Sequence, residues 1–73
     1  MPKTIEVSTT YLEPELVEDL QKRLHRIEGH VRGVKRMLQD QEDSESILVQ
    51  TSAIKAALNQ VILKLLDGHL EPV

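Results

Sequence analysis

LVEDLQKRLHRIEGHVRGVKRML, residues 16–38, is the stretch from which the fold is read. Its apolar positions are Leu16, Leu20, Leu24, Ile27, Val31, Val34 and Leu38, at spacings of 4, 4, 3, 4, 3 and 4. Steps of three and four return a side chain to the same side of a 3.6-residue helix, so these seven form one stripe. Just upstream, Glu13-Pro14-Glu15 carries start signals. Proline suits the first helical turn, and acids there complement the free N–H groups. The spacing predicts a first helix over about 13–41, roughly 40 Å long.

Downstream, Gln41-Glu42-Asp43-Ser44 breaks the pattern, and either Asp43 or Ser44 can cap a second helix. That helix carries Ile47, Thr51, Ile54, Leu58, Val61 and Leu65 in one row and Leu48, Ile62 and Leu66 in another. Ala53, Ala56, Ala57 and Leu63 lie beside them. Such a helix is apolar around most of its circumference, more than one partner helix can cover. Gly68 reads as its stop, with Pro72 preventing continuation. Residues 1–12 lack a helical period and read as a flexible N-terminal arm. Residues 13–73 form a single helical domain. The expected fold is therefore all-α: an antiparallel helical hairpin assembling into a four-helix-bundle dimer and a dimer-of-dimers tetramer.

Composition supports the same picture. The chain has 73 residues, no cysteine and one aromatic residue, Tyr11. Chains of this size usually add disulfides, a metal or oligomerisation to a small core. Disulfides and thiolate metal sites are excluded here, and oligomerisation remains. No uninterrupted run of about 18 apolar residues occurs, and the N-terminus has no signal-peptide core. A cytoplasmic protein away from membranes is expected. No nucleophile–His–Asp set or phosphate loop stands out, so the chain is not read as an enzyme.

The formal net charge is −3, but charge is segregated. Lys22, Arg23, Arg26, Arg32, Lys35 and Arg36 fall in one window whose only acid is Glu28, with acidic stretches on either side. Concentrated cations make a local field that a polyanion meets. The plainer reading is a solvated helix face with pairs such as Glu28–Arg32. Gly29 and Gly33, one turn apart in mid-helix, cost about 1 kcal/mol each relative to alanine. They suit close approach of another backbone, or are simply tolerated. His25 and His30 are five apart and share no face, so they are not a helical metal pair. His69 can meet the start of a second helix from another subunit, near Ser44.

Arg23-Leu24-His25-Arg26-Ile27-Glu28-Gly29-His30-Val31-Arg32-Gly33 resembles the first-helix motif R-L-x-R-I-E-G-Q-V-R-G of the copper-, nickel/cobalt- and formaldehyde-sensing repressors, the CsoR/RcnR/FrmR family. The likeness continues through Met37-Leu38, through Gln50-Thr51-Ser52-Ala53-Ile54-Lys55-Ala56-Ala57-Leu58, and through Leu65-Leu66-Asp67-Gly68-His69-Leu70. The resemblance implies a transcriptional repressor of a metal-efflux or detoxification operon, bound to double-stranded operator DNA as a homodimer or homotetramer. Its DNA-contacting positions map onto Arg23, Arg26, Arg32 and Lys55; Lys35 and Arg36 are added from the charge pattern alone. The family's sensory cysteine aligns with Ser44, its helix 2 histidine with His69, and a further ligand with Val73. The short third helix of many members has no counterpart. Copper(I) sensing through thiolates is thereby excluded, and formaldehyde and persulfide sensing, which need that cysteine in the family, are put in doubt. What remains is an altered effector site at Ser44 and His69, with His69 as a ligand for a harder divalent metal, or no sensing at all. His30 stands where the motif has Gln. The competing reading is a helical-bundle interaction module that has lost DNA binding; loss of function on Arg23→Ala with Arg26→Ala separates the two.

Overall fold

The computed structural model describes residues 11–70, with side chains through Gly68. Two helices follow one another, α1 (Pro14–Gln39) and α2 (Ser44–Leu70). They pack as an antiparallel hairpin, and among the described residues there is no strand. Helix α1 starts with Pro14 in its first turn and the Val17 amide on the Glu13 carbonyl, 3.0 Å. It ends two residues earlier than the spacing predicts. Gln41 adopts φ +56°, the Glu42 amide donates to the Met37 carbonyl (3.0 Å), and the Gln41 amide donates to that of Leu38 (3.1 Å). This is a Schellman ending, with glutamine in the left-handed position that usually takes glycine.

The start of α2 is settled in favour of Asp43. Its carboxylate accepts the Ser46 amide (3.1 Å) and the Ser46 hydroxyl (2.8 Å), satisfying a donor that the first turn leaves free. Gly68 is not a stop, because α2 continues to Leu70. A Cβ built on Gly68 would lie 2.5 Å from Leu16 Cδ2 and 3.2 Å from Leu12 Cδ2. The glycine therefore lets the end of α2 lie close against the leucines at the start of α1. Leu12 is half-buried on the core; residues 1–10 of the expected arm lie outside the described residues.

The core is a single seam. Leu20 and Ile27 from α1 meet Ile54 and Val61 from α2, flanked by Leu12, Leu16, Val34 and Ala57. Within each helix the buried pair is seven residues apart, the repeat that keeps two nearly parallel helices in register. The stripe of α1 thus divides. Leu20 and Ile27 are buried, whereas Leu24, Val31 and Leu38, also at seven-residue steps, remain 42%, 40% and 58% exposed. On α2, Leu58 and Leu65 are exposed in the same way, as are Leu48, Ile62 and Leu66.

Contacts between the helices fix the flanks. Asp19 lies 3.9 Å from Lys64 and His30 is bonded to Gln50 at 2.7 Å, so one flank of the seam is polar. Helical spacing puts Leu24, Val31 and Leu38, with Leu58 and Leu65, on the opposite flank. One long apolar face is therefore left open. Among the described residues, α2 is the one helix long and apolar enough to cross a membrane by length and composition. Lys55, Asn59 and Gln60 interrupt its most apolar stretch, which is why no continuous apolar run is visible in the sequence.

Candidate nucleic-acid interface

The basic stretch of α1 forms two groups rather than one. Arg23 and Arg26 join Ile27, His30 and Ala57 around a recess of about 110 Å³ at the polar side of the seam. Arg32, Lys35 and Arg36 are exposed further along α1, around its outer side. Arg36 also stands in the last turn, where a cation complements the free carbonyls. Lys55 belongs to neither group. It lines a groove on the outer face of α2 with Thr51, Leu58 and Ile62, on the side of the open apolar face. The six expected cations therefore do not form one surface on a single chain.

Their pairing differs from the sequence expectation as well. Glu28 does not pair with Arg32; its carboxylate lies 3.8 Å from His25 Nδ1, both side chains being strongly exposed. The acids that reach the basic stretch come from the turn before it. Glu18 approaches Lys22 at 3.9 Å, with both side chains about 70% exposed, a contact worth little. Asp19 accepts from Arg23 Nε at 3.0 Å, and Lys64 stands 3.9 Å from the same oxygen. The hydrogen bond from Arg23 holds the Asp19 carboxyl below its ordinary pKa of 3.8, helped by the charges of Arg23, Lys64 and Arg26. Among the described residues no carboxylate lies in ion-pair range of Arg26, Arg32, Lys35, Arg36 or Lys55.

Three members of this surface were missed in the sequence. The Asp19–Arg23 pair, four residues apart, is legible, but a charge window opened at Lys22 leaves Asp19 out. Lys64 and the His30–Gln50 bond depend on how α1 and α2 are registered, which neither helix's own pattern specifies. Nothing in the chain approaches Gly29 or Gly33: a Cβ on either meets no atom within 4 Å. If their lack of a side chain serves close packing, the neighbour is another molecule.

Ser44 and His69 stand near opposite ends of α2, 25 residues and so roughly 37 Å apart at the helical rise. One chain cannot bring them to a common ion. The side chain of His69 lies outside the described residues, and among the described residues no group of three or more His, Asp or Glu could hold a metal. Among the described residues, the donors of a single chain do not fit a metal centre.

An all-helical hairpin with a basic first helix is the class that the fold and surface define, and comparison with known proteins makes it specific. Residues 17–72 match the metal-sensitive transcriptional repressor family, and the chain belongs to that family, the CsoR/RcnR repressors. It is 49% identical over 49 residues to the copper-sensing transcriptional repressor RicR of Mycobacterium tuberculosis, covering 67% of this chain and 51% of that one. It is 44% identical over 52 residues to the copper-sensing transcriptional repressor CsoR of Bacillus subtilis, covering 71% and 52%. It is 32% identical over 53 residues to the transcriptional repressor RcnR of Escherichia coli, covering 73% and 59%. The chain thus spans between half and three-fifths of the length of these relatives. No solved structure matches it.

Proposed function

We propose that this chain is a cytoplasmic, DNA-binding transcriptional repressor that acts as a homo-oligomer on double-stranded operator DNA and controls a metal-efflux or detoxification operon. The observation that carries the reading is the pair Arg23 and Arg26 at one recess of α1, in a chain whose family consists of repressors. Guanidinium groups offer phosphate oxygens planar donor pairs, and each contact made releases counterions. Arg32, Lys35, Arg36 and Lys55 extend this surface. Because Lys55 lies on the other flank of the hairpin, it joins the arginines only across chains.

The open apolar face supports the assembly. Leu24, Val31, Leu38, Leu58 and Leu65 are all more than a third exposed on one flank. A second hairpin laid on that flank completes a four-helix bundle, and the further apolar row Leu48, Ile62 and Leu66 suits a dimer of dimers. Assembly is also the one way to bring Ser44 of one chain to His69 of another. The effector site at these positions is thiol-free and so lacks the soft donors that select copper(I).

The test is a mobility shift on a labelled duplex covering the region upstream of the chain's own gene, at two salt concentrations. Wild type is expected to bind, with affinity falling about tenfold or more between ~50 and ~200 mM salt if three or more phosphates are contacted. Arg23→Ala with Arg26→Ala is expected to abolish the shift while thermal unfolding stays cooperative. Absent binding at low salt, or binding indifferent to salt, would overturn the reading and leave an assembly module.

A further inference from the structure

We propose that Asp19 is a positioning residue for DNA: its carboxylate locks Arg23 in the orientation that presents a free donor edge to a phosphate. The inference deepens the DNA-binding reading and rests on it. An acid on a surface meant for a polyanion needs explaining, since it repels the ligand by simple electrostatics. Asp19 is half-covered, with a side chain 40% exposed, and it engages both helices. Through one oxygen it accepts from Arg23 Nε of α1 and lies near Lys64 Nζ of α2. Arg23 itself is held to 32% exposure.

The atom used is decisive. Arg23 spends Nε on Asp19, and the Nη1–Nη2 edge of the planar fork remains a parallel donor pair of the kind that chelates a phosphate. Arg26 and His30 border the same recess, and His30 is in turn held by Gln50. The charged and titratable groups facing the site are thus Arg23, Arg26 and His30 from α1 and Lys64 from α2, with Asp19 the acid among them. Lys64 of the second helix stands 3.9 Å from the same carboxylate oxygen, so the Asp19–Arg23 pair sits where the two helices meet. An arginine already fixed loses less side-chain entropy when it binds.

The prediction has a sign that electrostatics alone does not give. Removing a negative charge from a DNA-facing surface should tighten binding. Removing an aligning group should loosen it. Glu18 is the internal control, an acid one residue away whose contact with Lys22 is loose and exposed. With the same upstream duplex, Glu18→Ala is expected to bind as tightly as wild type or more tightly. Asp19→Ala is expected to weaken binding about tenfold, the size of one charge-assisted contact. Asp19→Glu keeps the charge but moves the carboxylate by one methylene, and is expected to weaken binding too; it serves if the alanine variant folds poorly. In an Arg23→Ala background, Asp19→Ala should cause no further weakening and should tighten binding if it changes it at all, and the salt slope should already have dropped by about one. If wild type binds and both Asp19 variants bind as well or better, the positioning role is overturned while the DNA reading stands. If wild type itself fails to bind the duplex, both fall together.

Discussion

Gln41 shows how a single residue closes an element against its own preference. It holds φ +56° to let the Glu42 amide reach the Met37 carbonyl. A side chain in that region costs on the order of 1 kcal/mol that glycine does not incur. Gln41→Gly is therefore expected to stabilise the fold by roughly 0.5–1 kcal/mol, the gain in the turn being offset in part by a freer unfolded chain. Urea denaturation checks this through the midpoint, at unchanged slope; a lowered midpoint contradicts it. Single residues were legible in the sequence where the chemistry is local. Pro14 opens α1, and Asp43 was one of two expected caps. Local propensity makes Gly68 a stop, whereas Leu12, just before α1, and Leu16, in its first turn, require the missing side chain. His30 and Gln50 were invisible as partners, being 20 residues apart with no rule linking them.

At the scale of the elements, the fold favours the ionised form of two carboxylates, Asp43 at the turn and Asp19 on the flank where the helices meet. The side-chain and backbone hydrogen bonds from Ser46 hold Asp43 below its ordinary pKa of 3.8, and the bond from Arg23 does the same for Asp19. A group whose folded pKa is depressed contributes stability that is fully present above its unfolded pKa and is lost as pH falls through the folded one. The fold is therefore expected to hold a level midpoint near neutrality and to weaken from roughly pH 5 downward as these two groups begin to take up protons. Asp43→Asn keeps an acceptor for the Ser46 amide but cannot titrate. Its stability should depend less steeply on acid pH than wild type, as urea midpoints across the acid range would show. An identical slope for the two proteins would mean that Asp43 contributes nothing to acid lability. The helices themselves were legible because hydrophobic spacing survives any tertiary arrangement. Their ends were not, since α1 stops at Gln39 through hydrogen bonds that spacing does not encode.

At the scale of the molecule, the hairpin is 49 Å in its longest dimension and 17 Å in its shortest, too thin to enclose a second layer of side chains. Four apolar residues are buried along the seam, and none of the described side chains is fully buried. The surplus of apolar residues on α2 was plain in the sequence. Which rows face α1 was not, because α2 offers several equivalent stripes and only the packing selects Ile54 and Val61. That selection leaves Leu24 and Val31 beside Leu58 on the uncovered flank, where the proposed assembly places another chain. If it does, folding and association are linked, and stability rises with protein concentration by mass action. A tenfold dilution is then expected to lower the melting temperature measurably in wild type. Leu24→Lys together with Leu58→Lys places two charges on that flank without touching the seam. The pair should shift sedimentation from oligomer toward single chain and abolish the dependence on dilution, because a buried unpaired ammonium is far costlier than an exposed one. The basic recess around Arg23 and Arg26 lies on the other flank and should keep its residual, weaker affinity for DNA. A double variant that sediments like wild type would show that the flank faces solvent, and the assembly would have to be rebuilt on Leu48, Ile62 and Leu66 instead.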